Sequence, residues 1–167
     1  MDSIDSLSLC ESDQLLSVAS RDDCYRVIDA MSQQARHSLY IFSDDLDPDI
    51  YNTGQFIDSV RRIVAGEPNA TVNVLFYSVD KLIHRGHRLI DLSRRLSSQV
   101  KMRQLSRAYN HAFFVADQCG VVNRRIADRF EGTASFNNPG RAAQLIAFFN
   151  STWDISAPNM ELQSLRL

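Results

Sequence analysis

Tyr109-Asn110-His111-Ala112-Phe113-Phe114-Val115-Ala116-Asp117 is the stretch on which the fold turns. Ala112 to Asp117 carries a continuous apolar run, too short for a helix, which reads as a strand buried on both faces. Gln118-Cys119-Gly120 then supplies turn chemistry, and Val121 to Asn123 reads as the returning strand. The two runs predict a hairpin.

Working outward toward the N-terminus, helices and strands alternate. Asp22-Asp23 places carboxylates at a helix start, where the dipole favours them. Cys24, Val27, Ile28, Met31 and Ala35 follow at helical spacing through Arg36. Ser38 to Phe42 reads as a buried strand, ended by the acidic loop Ser43-Asp44-Asp45-Leu46-Asp47-Pro48-Asp49, where Pro48 stops regular pairing. Phe56, Val60, Ile63 and Val64 make the next helix amphipathic, and Gly66 ends it. A second buried strand spans Val72 to Phe76, and a third helix starts near Gly86 with Leu89, Leu92 and Leu96 on its core face. Val100 to Leu105 alternates as a strand. Beyond the hairpin, the region around Gly132 and Asn137-Asn138-Pro139-Gly140 reads as loop. A last helix follows, with Ala142, Leu145, Ile146, Phe149 and Trp153 on one face. Alternating elements with a late hairpin define an α/β fold: a mixed β-sheet with helices on both faces. Residues 1–20, rich in Ser and Asp, read as a flexible leader with one helical turn around Leu15-Leu16, and 21–167 as a single domain.

The 167 residues suit one domain with a real core. A net charge of −2 gives no global pull toward nucleic acid or anionic lipid, so such binding needs a local patch. Two of the 18 basic residues are Lys, and the rest are Arg, the residue suited to bidentate recognition of carboxylate or phosphate. Cys10, Cys24 and Cys119 are widely spaced and odd in number, which argues against a zinc site or disulfide framework and for free thiols in a reducing cytoplasm. No apolar run approaches the roughly 18 residues of a membrane span. No metal or cofactor is expected.

The Tyr109–Asp117 stretch resembles the catalytic strand of the phospholipase D superfamily, whose motif is His-x-Lys, four residues, then Asp. The order of elements resembles one module of that superfamily, as do the loop Ala134-Ser135-Phe136-Asn137 and the helix ending Phe148 to Trp153. The resemblance runs from about Cys24 to Trp153. More closely, the chain is similar to an uncharacterised bacterial domain family in Leu46-Asp47-Pro48, in Gly86-His87-Arg88-Leu89 with Arg94-Arg95-Leu96, and in the ending Glu161 to Leu167. Such domains occur alone or behind acetyltransferase domains.

The superfamily's chemistry implies His as nucleophile, a second His as acid and Lys to hold phosphate. Aligned on His111, the motif finds Phe113 in the Lys place and Asp117 one residue early. Aligned on Asp117, it finds Asn110 for His and Ala112 for Lys, and turns His111 to the opposite face of the strand. The Gly-Ser that usually follows is replaced by the region of Arg124-Arg125. The implied function is a non-catalytic binding or interaction module able to form a homodimer. One alternative is a divergent phosphodiesterase or nuclease using His111 and Asp117 across a dimer.

A second alternative is a phospholigand or nucleic-acid binder on the Arg85–Arg95 helix. Its ligand residues would be His87, Arg88, Arg94 and Arg95, with the acidic-loop residues Asp45 and Asp47 as further candidates for the site. A helix N-terminus flanked by His and Arg can hold an anion. The structural readings are an Asp91–Arg95 surface pair, Asp capping in the acidic loop, and pairing of that loop with the Arg-rich helix.

Overall fold

A computed structural model describes residues 4–78 and 86–156. Strand β1 (Leu16–Val18) precedes helix α1 (Arg21–Gln34), β2 (Ser38–Ser43), α2 (Pro48–Tyr51) and α3 (Gly54–Gly66). Then come β3 (Thr71–Phe76), α4 (Arg88–Arg95), β4 (Val100–Gln104), β5 (Ala112–Ala116), β6 (Gly120–Arg124), β7 (Gly132–Ser135) and α5 (Pro139–Asp154). The sheet has seven strands in the order β1-β7-β6-β5-β2-β3-β4. β2, β3 and β4 pair in parallel, while β5 joins β2 antiparallel and opens the antiparallel half. The mixed α/β sheet expected from the sequence is therefore present.

Period-two alternation divides the buried side chains between two cores. Leu39, Ile41, Val72, Val74, Phe114 and Ala116 face α1 to α4. Phe42, Leu75, Phe113 and Val115 face α5, through Ala142, Leu145 and Phe149. Both faces of the central strands are thus covered, which is why they read as unbroken apolar runs. Helix starts follow local capping. Ser20 accepts from the Asp23 N–H, Thr53 from Phe56 and Asn138 from Arg141.

Three departures from the sequence reading have identifiable causes. Pro48 initiates α2 instead of merely ending a strand, since its fixed φ and missing N–H suit the first helical turn. The Gly132 region, read as loop, forms β7 between β6 and β1. Gly132 is required there: a Cβ would lie 2.2 Å from the Asn123 carbonyl oxygen. The stretch read as a flexible leader is built into the fold. Leu16–Val18 is a strand, not a helical turn, and Cys10 forms a disulfide with Cys119. That bond corrects the expectation of three free thiols; Cys24 alone is free, and it is buried.

Candidate functional site

The ends of β2, β5 and β6 meet where the motif-bearing strand begins. Ala112 pairs directly with Arg124 across the hairpin, so the two side chains share the face toward α1–α4. The Arg124 guanidinium is almost fully enclosed. Its Nη1 donates to Asp47 Oδ2 at 2.8 Å, Nη2 to the Ala127 carbonyl at 2.6 Å and Nε to the Arg129 carbonyl at 2.7 Å. The Phe130 ring lies 4.7 Å from its central carbon. Ser43 Oγ donates to the same Asp47 oxygen and accepts from the Leu46 N–H. Leu46 reaches this turn with φ at +59°, a left-handed conformation that costs a branched L residue roughly 1–2 kcal/mol. The buried ion pair accompanies that strained turn.

Burial pushes the Asp47 carboxyl up from the usual range, while Arg124 pulls it back. Burial also works against the Arg124 charge, but Asp47, with smaller pulls from Tyr51 and Cys24, more than offsets it and holds the guanidinium protonated. Tyr51 is pushed well up by burial, and the Cys24 thiol to about 12, so neither ionises near neutrality. Asp45 serves as a turn acceptor, its Oδ1 taking the Asp47 N–H. Two carboxylates of the acidic loop pair with other elements. Asp47 bonds Arg124 of β6, and Asp49 bonds Arg21 of α1 at 2.8 Å.

His111 and Asp117 are not brought together. They occupy opposite ends of β5, roughly 20 Å apart at strand rise. His111 turns to the α5 face, with its ring 5.3 Å from Phe113 and 6.4 Å from both Phe42 and Phe148. Its Nε2 lies 2.5 Å from Asn123 Oδ1. The Asp117 carboxylate accepts the backbone N–H groups of Arg36, His37 and Ser38, tying the hairpin turn to the start of β2. His111 lies on the α5 face with Phe113, opposite to Ala112.

The Arg-rich helix separates its residues by depth. His87, 3% exposed, caps α4: its Nδ1 accepts the Leu89 N–H and its Nε2 approaches the Leu46 carbonyl at 3.2 Å. These partners assign the neutral Nε2–H tautomer, and burial lowers the ring's pKa against weaker upward pulls from Leu46, Asp91 and Asp45. His87 is therefore a cap, unsuited to holding an anion as imidazolium. Arg94 lies 3.8 Å from Asp91, replacing the anticipated Asp91–Arg95 pair. Arg88 and Arg95 are exposed and line a groove against α3. His84 and Arg85 fall outside the described residues. Among the described residues no group of three or more His, Cys, Asp or Glu could hold a metal, and no helix is long and apolar enough to cross a membrane.

The neutral state of His87 makes a pH prediction. The unfolded ring takes up a proton near pH 6.5, whereas the folded ring does so only at lower pH. Stability from His87 is thus complete above about pH 6.5 and lost as pH falls through the window beneath it, at no more than about 1.4 kcal/mol per pH unit. Denaturation midpoints from pH 7.5 to 5 should converge for wild type and His87→Asn as the pH falls. A constant gap would show that His87 does not titrate on unfolding.

Sequence reasoning passed over Arg124, the centre of this cluster. The signal was present: Val122 and Arg124 fall on the same strand face, so the hairpin carries a charge inward.

Among the described residues, a seven-stranded mixed sheet covered by α5 on one face and α1 to α4 on the other, with β5 at its centre, is the fold shared with phospholipase D family structures. Nuc of Salmonella typhimurium, a phospholipase D family member, superposes with a TM-score of 0.60 at 11% identity, over 87% of this chain and 97% of Nuc. NucT of Helicobacter pylori gives 0.60 at 10%, over 88% and 98%. TrmBL2, an archaeal chromatin protein, gives 0.64 at 14% over 89% of this chain, which spans 55% of TrmBL2. No curated protein matches by sequence. The model of a domain of unknown function, DUF7931, matches residues 20–165, and the chain belongs to that family.

Proposed function

We propose that this protein is a phospholipase D-like module that does not cleave phosphodiesters and works by binding a partner. The observation that carries this reading is the Ala112–Arg124 pair. Where the motif calls for a phosphate-gripping Lys, the chain has a methyl group, and the cross-strand cation Arg124 is committed to Asp47 and two carbonyls. A guanidinium that is 3% exposed, with three of its five N–H donors already taken, has little left for a phosphoryl oxygen. His111 supports the same reading, because it faces an aromatic layer and an amide instead of a second basic residue.

Turnover of bis(p-nitrophenyl) phosphate by the full chain should remain at background across pH 5–9. Activity above background that is lost in His111→Ala would overturn the reading and favour the dimeric phosphodiesterase. Homodimerisation remains part of the proposal, with exposed Phe148 beside Tyr109 and His111 as the apolar surface available for it. Acetyltransferase association is a further part of the proposal, as is a cytoplasmic setting, although the Cys10–Cys119 bond removes the free-thiol argument for that setting.

A further inference from the structure

α3 and α4 lie side by side with an open groove between them. One section, about 340 Å³, lies toward their N-terminal ends. The next, about 420 Å³, continues from it through the shared residues Arg61, Leu92 and Arg95. Both helices lead into strands of the parallel half of the sheet, so they run in the same direction. Each contributes a stripe at three- and four-residue spacing.

The α3 stripe sets four levels along the groove, each about one helical turn of 5.4 Å from the next, and α4 matches the first three before Leu96, its C-cap, follows Arg95 directly. At the first, the Arg88 guanidinium lies beside Gly54, 3.7 Å from where a Cβ would be. At the second, Asp58 and Asp91 flank an apolar floor of Ile57 and Leu92. At the third, Arg61 and Arg95 line both sections. At the fourth, Val64, Ala65 and Leu96 make an apolar end. Gln99 closes it by donating to the carbonyls of Val64, Glu67 and Ala70. The order is positive, negative, positive, apolar. Internal neutralisation is slight. Asp58 reaches Arg61 only at 4.0 Å and Asp91 turns to Arg94. Among the described residues Arg88 and Arg95 have no carboxylate within ion-pair distance.

We propose that this groove docks an amphipathic helix from a partner protein. The helix carries one acidic residue for Arg61 and Arg95, a basic residue one turn away for Asp58 and Asp91, and a second acidic residue two turns away for Arg88. An apolar side chain at the far end meets Val64 and Leu96. The inference rests on the binding-module reading and names its partner class. Charge order favours a protein segment over a phosphate chain. Asp58 and Asp91 are largely exposed and would repel a continuous polyanion at the second level. The apolar fourth level gives a side chain a place to bury that phosphates cannot use.

The test uses two fluorescein-labelled synthetic helices of about 20 residues, long enough to hold helical structure. They have one composition: acidic-basic-acidic-apolar order in one, charges reversed in the other. Fluorescence anisotropy with the full chain should show the first binding about tenfold tighter or more, the scale of one charge-assisted contact. Arg95→Glu, an exposed change that leaves the thermal transition in place, should abolish that preference, and Asp58→Lys should weaken the first peptide similarly. Equal binding of the two peptides, no binding of either, or a preference untouched by Arg95→Glu would overturn the assignment. Arg95-dependent binding of a single-stranded oligonucleotide or inorganic phosphate, without peptide preference, would also overturn it and return the groove to a phospholigand. The phosphodiesterase assay reads the parent proposal separately: peptide failure alone leaves a non-catalytic module without this groove, and turnover alone removes the parent reading.

Discussion

Replacing Arg124 with Ala should cost about 3–5 kcal/mol of stability, the scale for removing one partner of a buried ion pair. The side chains of Arg124 and Asp47 are 3% and 9% exposed, so water cannot replace the lost partner. The change strands the Asp47 carboxylate, which already experiences an upward push from burial. It also leaves the carbonyls of Ala127 and Arg129 without their side-chain donors. For a chain of this length the melting temperature should fall by roughly 6–20 °C. Arg124→Lys should recover only part of the loss, because one ammonium cannot span three acceptors in fork geometry. A paired Asp47→Leu, Arg124→Met variant should be far less destabilised than either single change, since nothing charged is left unpaired. Additive losses in the double variant would show that the two side chains contribute independently, and that the cluster is not held by their pairing.

The same pair shows what the sequence could and could not disclose. The β5 strand was legible because an apolar run bounded by Asp117 and a turn admits few readings. The parallel strands were legible from their composition. Arg124 was harder, since its acceptors lie 77 residues upstream at Asp47 and in a loop without periodicity. Local propensity carries no record of such a pairing. β7 was missed because Gly132-Thr133-Ala134-Ser135 has neither apolar alternation nor β-rich composition; its place is set by the neighbours it completes. The helix over Arg88–Arg95 was visible, but a helical wheel could not distinguish buried His87, which precedes the helix as its cap, from exposed Arg95 on its side. Arg61 and Gly54 entered the groove for the same reason: α3 and α4 meet only in three dimensions.

Reduction of the Cys10–Cys119 bond should be the other large perturbation. The bond joins residues separated by 109 positions, and closing a loop of about 100 residues restricts the unfolded chain by up to about 4.7 kcal/mol in the chain-entropy account, with 2–4 kcal/mol typical in measurement. The native segment around Cys10 is held by more than sulfur. The Cys10 N–H bonds the Phe136 carbonyl, the Leu9 N–H bonds Gln34 Oε1, and β1 pairs with β7. Those contacts predict that the reduced protein stays folded, with a melting temperature lower by roughly 4–16 °C, and that Cys10→Ser reproduces the shift without reductant. Cys24 provides the internal control. Its thiol is fully buried and raised to about 12, so it should resist alkylation in the native state while reduced Cys10 reacts. Mass mapping of alkylated protein, quenched in acid directly from cells, then reads the compartment: a reducing cytoplasm would leave the pair as thiols. If reduction moves neither the midpoint nor the protease sensitivity of residues 4–18, backbone pairing alone holds the N-terminal segment and the bond contributes nothing to its anchoring.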